Sequence, residues 1–126
     1  MKTPREILIV DDEEDVQWLF KQRFRREIKK GLLELHFAFS GEEALAYLLQ
    51  EGRADIVLVL SDINMPGMSG LELLKRIKQQ FPDIQVHMIT AYDDNENYRI
   101  AIDHGADGYL TKPIDFATLK EEVFGL

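Results

Sequence analysis

The sequence contains no cysteine, and this absence excludes both a disulfide framework and a thiolate metal site. A chain without cysteine also fits a reducing compartment. With 126 residues, a domain can bury roughly two thirds of its unfolded surface and needs no covalent cross-links. The length is typical of one domain, so we expect residues 1–126 to form a single unit or one module of a longer parent protein.

The sequence also lacks long hydrophobic runs and an excess of positive charge. No apolar run approaches the roughly 18–20 residues of a membrane span, and the N-terminus lacks the apolar core of a signal peptide. The formal net charge is −8, which argues against direct nucleic acid binding. We therefore expect a cytoplasmic location, with no membrane contact and no nucleic acid contact.

One basic segment departs from this acidic balance. Six cations lie within ten residues: Lys21, Arg23, Arg25, Arg26, Lys29 and Lys30. A solvated helix face is the favoured interpretation, and a docking surface for an acidic partner is the alternative. Trp18 lies off the apolar stripe of the same predicted helix. We expect it to be half-buried, with a partly exposed anchor as the alternative.

Short apolar runs alternate with amphipathic runs along the chain. The apolar runs predict five strands, because they are short, rich in β-branched residues and bounded by polar or turn residues. These predicted strands are Ile7–Val10, Leu35–Phe39, Ile56–Leu60, Val86–Thr90 and Tyr109–Thr111.

The amphipathic runs predict five helices. Apolar residues from Val16 to Ile28 recur at spacings of three and four, and Gly31 suits the end of that helix. Serines at the starts of the second and third helices form capping-box patterns with glutamates three residues later, and Gly52 and Pro82 follow these helices. The predicted caps are Ser40 with Glu43, Ser69 with Glu72, and Asp115. The fourth helix is predicted over Asp94–His104 and is closed by Gly105, and Val123 lies in the fifth.

Strands that alternate with helices predict an α/β fold with a parallel sheet covered on both faces. Right-handed crossovers leave few topologies. We predict a flavodoxin-like, doubly wound, five-stranded parallel sheet with strand order 2-1-3-4-5 and five helices.

Chemically active side chains follow four of these strands. Asp11 and Asp12 follow the first strand, Asp62 the third, Thr90 ends the fourth, and Lys112 lies just past the fifth. In the predicted order these strand ends lie side by side at the edge where such sheets bind ligands. The topology therefore brings three carboxylates, one hydroxyl and one ammonium into a single cleft.

Three close carboxylates repel one another, and a divalent cation relieves that repulsion. All-oxygen ligands favour Mg²⁺, Mn²⁺ or Ca²⁺ over zinc or copper. Mg²⁺ also shares phosphate oxygens, and a carboxylate can act as a nucleophile toward phosphorus. Each residue alone has an ordinary interpretation, since Asp is a common helix cap and a lone lysine is usually a surface residue. Only their joint placement predicts phosphoryl chemistry.

The sequence resembles the receiver domains of two-component response regulators. The resemblance extends from about Glu6 to Val123, and it rests on four motifs in order. These are Ile9-Val10-Asp11-Asp12, Ser61-Asp62-Ile63-Asn64-Met65-Pro66-Gly67-Met68-Ser69-Gly70, Thr90-Ala91, and Gly108-Tyr109-Leu110-Thr111-Lys112-Pro113.

The resemblance implies a role for each matching position. Asp62 is implied as the phosphoacceptor, and Asp12 as a direct Mg²⁺ ligand with Asp11 close by. Asp62 and the backbone carbonyl of Asn64 would complete the protein's share of the metal shell. Phosphoryl binding and switching are implied for four residues: Thr90, Ala91, Tyr109 and Lys112. The Lys112–Pro113 bond is expected to be cis, and Asn64 and Tyr92 to modulate phosphoryl lifetime.

The resemblance also implies the partners. We expect a sensor histidine kinase or a histidine phosphotransfer protein as donor, and an output domain or effector whose identity is open. A phosphorylation-linked homodimer through the face of the fourth helix, fifth strand and fifth helix is left open. We expect a phosphoacceptor that assists its own phosphorylation and dephosphorylation, not an enzyme. Two alternatives are a pseudo-receiver that is never phosphorylated and a small Mg²⁺-dependent phosphatase, for which 126 residues leave little room.

Overall fold

The computed structural model describes residues 3–50, 55–91 and 94–126. It contains a five-stranded parallel sheet with the order β2-β1-β3-β4-β5, which confirms the predicted topology. The predicted helix break at Gly52 and the implied role of Tyr92 lie outside the described residues. The strands are β1 Arg5–Val10, β2 Leu33–Ala38, β3 Ile56–Asp62, β4 Gln85–Thr90 and β5 Gly108–Thr111.

The helices follow the predicted pattern with two differences. The first amphipathic run divides at Phe24, whose φ of −110° and ψ of 19° depart from helical values while its ring is buried. The last helix changes after one turn into a π-helical turn over Leu119–Val123. The described part of the chain thus has these α-helices: α1 Glu14–Arg23, α2 Arg25–Lys29, α3 Gly41–Leu49, α4 Gly70–Gln80, α5 Asn95–Asp103 and α6 Phe116–Thr118.

Side-chain caps fix where four of these helices begin. Ser40 Oγ accepts a hydrogen bond from Glu43 N at 3.0 Å, and Ser69 Oγ accepts one from Glu72 N at 3.2 Å. Asp94 and Asp115 accept backbone hydrogen bonds in the same way at the starts of α5 and α6. Each cap satisfies backbone donors that have no partner within the helix. The three predicted caps at Ser40, Ser69 and Asp115 are therefore confirmed, and the cap at Asp94 is an addition from the structure.

Alternation along β1 divides the core into two layers. Leu8 and Val10 pack into the layer under α3 and α4, while Ile7 and Ile9 pack into the layer beneath α1 and the C-terminal helical segment. All four side chains are buried. Burial on both faces explains why β1 reads as a continuous apolar run. The sheet is thereby held rigid beneath the residues that follow its strands.

Trp18 on α1 does not join either layer. Its side chain is 65% exposed, so the expectation of a half-buried aromatic is wrong. The core side of α1 is instead filled by Phe20, which is fully buried and contacts Phe24 and Phe116 at ring-centroid distances of 6.0 and 5.3 Å. Three phenylalanines therefore occupy the space under this helix, and Trp18 projects from it.

Candidate functional site

Three carboxylates meet at the carboxyl edge of the sheet. Asp11 and Asp12 follow β1, Asp62 ends β3, and the two strands are hydrogen-bonded neighbours with Val10 opposite Ser61. One carboxylate oxygen from each aspartate lies within 4.8 Å of those of the other two. Asp11 and Asp62 are buried, whereas Asp12 is exposed. The strand order thus produces the cleft that the sequence predicts.

Asp62 is held by one contact on each carboxylate oxygen. Oδ1 accepts a hydrogen bond from Asn64 N at 3.1 Å, and Oδ2 lies 2.9 Å from Lys112 Nζ. The side chain is only 4% exposed. A buried carboxylate needs such partners, because desolvation without them disfavours the charged form. Asp62 therefore has a fixed orientation and remains reachable from the cleft.

Asp11 is buried in this cleft close to other carboxylates, and its pKa is raised as a result. Burial, helped by the nearby charge of Asp62, raises the pKa of its carboxyl to about 6. A hydrogen bond donated by Glu13 N to Asp11 Oδ1 at 2.9 Å opposes the rise. Buried like charges are costly to the folded protein, and a bound divalent cation would remove that cost.

Lys112 enters the cleft from the segment after β5. Its backbone N–H donates to Thr90 O at 2.9 Å, which ties this segment to the end of β4. The peptide bond to Pro113 is cis. Burial lowers the pKa of Lys112, but the hydrogen bond and charge of Asp62 outweigh it and leave that pKa above its ordinary value. The ammonium therefore stays charged beside Asp62.

Thr90 is the last residue of β4, and the environment of its side-chain hydroxyl is unusual. The residue is fully buried, and Oγ1 has no hydrogen-bond partner among the described residues. A buried hydroxyl without a partner costs free energy, roughly 1–3 kcal/mol. Such a group is expected where a ligand supplies the missing partner. Ala91, the next residue, is exposed.

Tyr109 lies on β5, away from the carboxylates. Its hydroxyl donates to Asp94 O at 3.2 Å, and its ring meets that of Tyr98 edge-on at 4.6 Å between centroids. These contacts join β5 to the start and the first turn of α5. The structure thus brings together Asp11, Asp12, Asp62 and Lys112, and it places Tyr109 on a neighbouring face.

Two contacts made by the loop after Asp62 were not predicted from the sequence. A Cβ at Gly70 would lie 2.1 Å from Asp62 O, so only glycine fits where α4 begins against the end of β3. Glu42 on α3 accepts hydrogen bonds from Met68 N at 3.3 and 3.4 Å. The glycine after the predicted cap Ser69 was the available signal for the first contact. The second contact joins residues 26 positions apart and gave none.

Comparisons with known proteins agree with this geometry. The sequence model of the response regulator receiver domain matches residues 7–124. The chain is 37% identical over 121 residues to the chemotaxis protein CheY-3 of Vibrio cholerae, covering 93% of this chain and 87% of that protein. It also matches the receiver domain protein (CheY-like) of Methanospirillum hungatei with a TM-score of 0.83 and 32% identity, covering 96% of this chain and 91% of that one.

The chain belongs to the response regulator receiver domain family of two-component systems. Members of this family are phosphoacceptors that receive phosphoryl groups from histidine kinases, and they generally bind Mg²⁺ through an acidic pocket. Other relatives are much longer: the DNA-binding transcriptional regulator NtrC of Salmonella typhimurium is 39% identical over 109 residues. The chain spans 22% of that protein's length. None of the helices that the structure describes is long and apolar enough to cross a membrane.

Proposed function

We propose that Asp62 accepts a phosphoryl group from a phosphohistidine, carried by a sensor histidine kinase or a histidine phosphotransfer protein, in a step that depends on Mg²⁺. The observation that carries the proposal is the setting of the Asp62 carboxylate. It lies between two further aspartates and the ammonium of Lys112, with the unpartnered hydroxyl of Thr90 at the end of the next strand.

The residues present fit a magnesium ion. Asp11, Asp12 and Asp62 offer only oxygen, which suits a hard cation. The raised pKa of Asp11 reflects burial first and the nearby charge of Asp62 second, and a bound cation would offset both. We assign Asp12 and Asp62 as ligands, Asp11 as a ligand directly or through water, and the Asn64 carbonyl as the remaining protein ligand. When bound, Mg²⁺ neutralises charge on the phosphoryl oxygens; Mn²⁺ could replace it.

The reaction forms one bond and breaks one. An oxygen of the Asp62 carboxylate attacks phosphorus, the O–P bond forms, and the N–P bond of the phosphohistidine breaks so that its electron pair returns to the imidazole. Lys112 Nζ, already 2.9 Å from Asp62, balances negative charge on the product. The same groups would position water for hydrolysis, which is the sense in which the domain assists its own dephosphorylation.

Phosphorylation would then shift a two-state equilibrium. Thr90 Oγ1 gains a partner when it donates to a phosphoryl oxygen, and movement of Thr90 and Ala91 is passed to Tyr109, whose hydroxyl and ring hold α5. The face of α5, β5 and the C-terminal helical segment would change its affinity for an effector or a second copy. We also propose that residues 1–126 act as one receiver unit in the cytoplasm, as the family resemblance implies.

The alternative of a pseudo-receiver predicts the same fold without phosphorylation. An intact set of three aspartates with Lys112 and Thr90 counts against it, because a pure binding module has no use for a buried Asp11 carboxylate held close to two others. A Mg²⁺-dependent phosphatase would have to turn over a small phosphomonoester. The two alternatives therefore differ from the proposal in a measurable product.

Intact mass after incubation with Mg²⁺ and acetyl phosphate tests the proposal. We expect a gain of one phosphoryl group that disappears without Mg²⁺ and in Asp62→Asn. Asp55→Asn is the matched control, since that exposed aspartate precedes β3 on the opposite edge of the sheet. The pseudo-receiver would be favoured by two results together: no mass gain from acetyl phosphate or a phosphohistidine donor, and no change in the NMR spectrum on adding beryllofluoride. Labelling of the Asp62→Asn variant would reject the assignment of the acceptor.

A further inference from the structure

We propose that the groove between helices α1–α2 and the edge strand β2 binds an acidic, extended segment of a partner protein. The groove is lined by three cations, two apolar side chains and one acid: Lys21, Arg25, Lys29, Ile28, Leu35 and Glu34. Its volume is about 460 Å³. A smaller neighbouring cavity of about 310 Å³ shares Lys21 with it and is also lined by Glu14, Gln17, Trp18 and Phe39.

The charge of this groove is unusual for the molecule. Lys21, Arg25 and Lys29 are spaced four residues apart and form one exposed row, and none of them has an ion-pair partner within 4.0 Å in the described ranges. The chain as a whole carries a formal charge of −8. A local row of unpaired cations on an acidic protein favours an acidic occupant by charge complementarity.

The apolar side chains that line the groove favour an occupant with apolar as well as acidic side chains. Ile28 and Leu35 are only half-buried, and Lys21 Nζ lies 5.5 Å from the centre of the Phe37 ring. Trp18, the single tryptophan, is 65% exposed and lines the neighbouring cavity. Exposed aromatic and aliphatic groups beside cations are typical of protein-binding surfaces. The occupant should therefore alternate acidic and apolar side chains.

The strand at this edge favours an extended conformation. β2 pairs with β1 alone among the described residues, so its outer backbone N–H and C=O groups face away from the sheet. An added strand can satisfy such groups and place alternate side chains on each face. On the α1–α2 face those side chains would meet the row of cations and Leu35. An extended acidic segment therefore uses the backbone edge and the charge together.

Other occupants fit less well. A second copy joined by a two-fold axis at β2 would bring two identical rows of cations together, which costs free energy. Nucleic acid would meet the acidic remainder of the surface. The groove also lies beside Glu34 and Leu35, at the opposite end of the strands from Asp62, because β2 runs parallel to β1. We therefore expect binding here not to require phosphorylation of Asp62.

The test is an NMR titration of the full chain with a blocked heptapeptide of alternating glutamate and valine. We expect saturable shifts concentrated in residues 21–29 and 33–39, with new protection from exchange of β2 amides. Affinity should fall about tenfold or more in the Lys21→Glu, Arg25→Glu, Lys29→Glu triple variant, because exposed ion pairs contribute modestly but are here reversed together. It should also fall as salt is raised.

A matched control reverses Lys75 and Arg76, two exposed cations on α4, and should leave affinity unchanged. Asp62→Asn should also bind the peptide normally, which separates this proposal from the phosphoryl one. The proposal is overturned if the acidic peptide does not bind at millimolar concentration, or if the triple reversal leaves its affinity intact. Equal binding of a lysine–valine peptide or of duplex DNA, or self-association through the same amides without peptide, would overturn it as well.

Discussion

Lys112 Nζ and Asp62 Oδ2 lie 2.9 Å apart although the residues are 50 positions apart in the chain. The pair exists because β3 and β5 both end at the same edge of the sheet, on either side of β4. Asp62 is nearly buried, whereas the Lys112 side chain is 44% exposed. The pair is therefore open to solvent at the ammonium and buried at the carboxylate, so Lys112 supports both the fold and the chemistry of Asp62.

Substituting Lys112→Ala should separate those two roles. We expect the rate of Asp62 labelling by acetyl phosphate to fall by at least about tenfold, since one charge-assisted contact in a transition state is worth 1.4 kcal/mol or more. The free energy of unfolding should fall by about 1–3 kcal/mol, because the buried Asp62 carboxylate loses its charged partner. Intact mass against time and a urea titration measure the two quantities.

Lys75→Ala on the exposed face of α4 is the control for loss of a cation. An undiminished labelling rate in Lys112→Ala would remove the lysine from the proposed chemistry.

The unpartnered hydroxyl of Thr90 makes Thr90→Val informative. Valine has nearly the same shape and no buried hydroxyl, so the unphosphorylated domain should be equally stable or more stable, by up to about 1–2 kcal/mol. Labelling of Asp62 should persist, but the NMR shifts at Tyr109 on adding beryllofluoride should be lost. Thr90→Ser keeps the hydroxyl and should keep those shifts. If Thr90→Val responds like the parent, the hydroxyl does not couple the site to β5.

The burial of Asp11 beside Asp62 predicts that Asp11→Asn stabilises the metal-free domain. Burial and Asp62 raise the pKa of Asp11 to about 6, so its ionisation at neutral pH costs the folded state free energy relative to the unfolded state. Removing that charge should raise Tm at pH 7.5 without Mg²⁺ by a few degrees, at roughly 3–5 °C per kcal/mol for a domain of this size. The parent should gain stability when Mg²⁺ is added, and the variant should gain much less.

Thermal unfolding with EDTA and with excess Mg²⁺ gives all four values, and Glu14→Gln on exposed α1 controls for loss of an acid nearby. An equal response of parent and Asp11→Asn to Mg²⁺ would place the metal elsewhere.

His87 on β4 predicts a dependence of stability on pH. Burial lowers the pKa of its imidazole below the ordinary value of 6.5, with Asp107 opposing and Lys78 adding to this effect. A lowered histidine pKa means that the neutral form is favoured in the folded protein. Its contribution to stability is therefore complete above about pH 6.5 and is lost as pH falls through the folded pKa. Between pH 7.5 and 5.5 the parent should lose more stability than His87→Gln.

Denaturant titrations at both pH values supply the comparison. Asp11 also titrates in this range, but it is common to both proteins and cancels in the difference. Parallel pH profiles would exclude His87 as the source.

Gly108 at the start of β5 predicts a coupling with the same histidine. A Cβ at Gly108 would lie less than 2.5 Å from the His87 ring. Gly108→Ala should therefore destabilise the domain by about 1–3 kcal/mol, the usual cost of overpacking. In a His87→Ala background the same change should cost much less, giving a coupling energy of about 1 kcal/mol or more in a double-mutant cycle. Additive effects would mean that the strain lies in the backbone of β5 instead.

Sequence patterns predicted the sheet order and the cleft because both follow from strand ends. Asp11, Asp12 and Asp62 come directly after apolar runs, and parallel strands must present those ends together. The caps were equally local, since Ser40 and Ser69 contact amides three residues away. Features of this kind need no knowledge of distant contacts.

Long-range packing explains what the sequence did not predict. The break at Phe24 and the exposure of Trp18 depend on Phe116 and Phe124, which fill the layer under α1 from the other end of the chain. Glu27 belongs to a basic segment, yet it is buried against Lys120 Nζ at 2.9 Å, a contact that lowers its pKa. No pattern within residues 21–30 contains that information.

Gly70 has no side chain, and α4 can begin where it does only because that position is bare. Asp62 O occupies the space that any other residue would need. Among the positions near Asp62, Gly70 should therefore tolerate substitution least, although it contributes no functional group. During evolution, the partners, donors and output could change while this glycine stayed fixed, because the absence of a side chain keeps the first turn of α4 packed against Asp62.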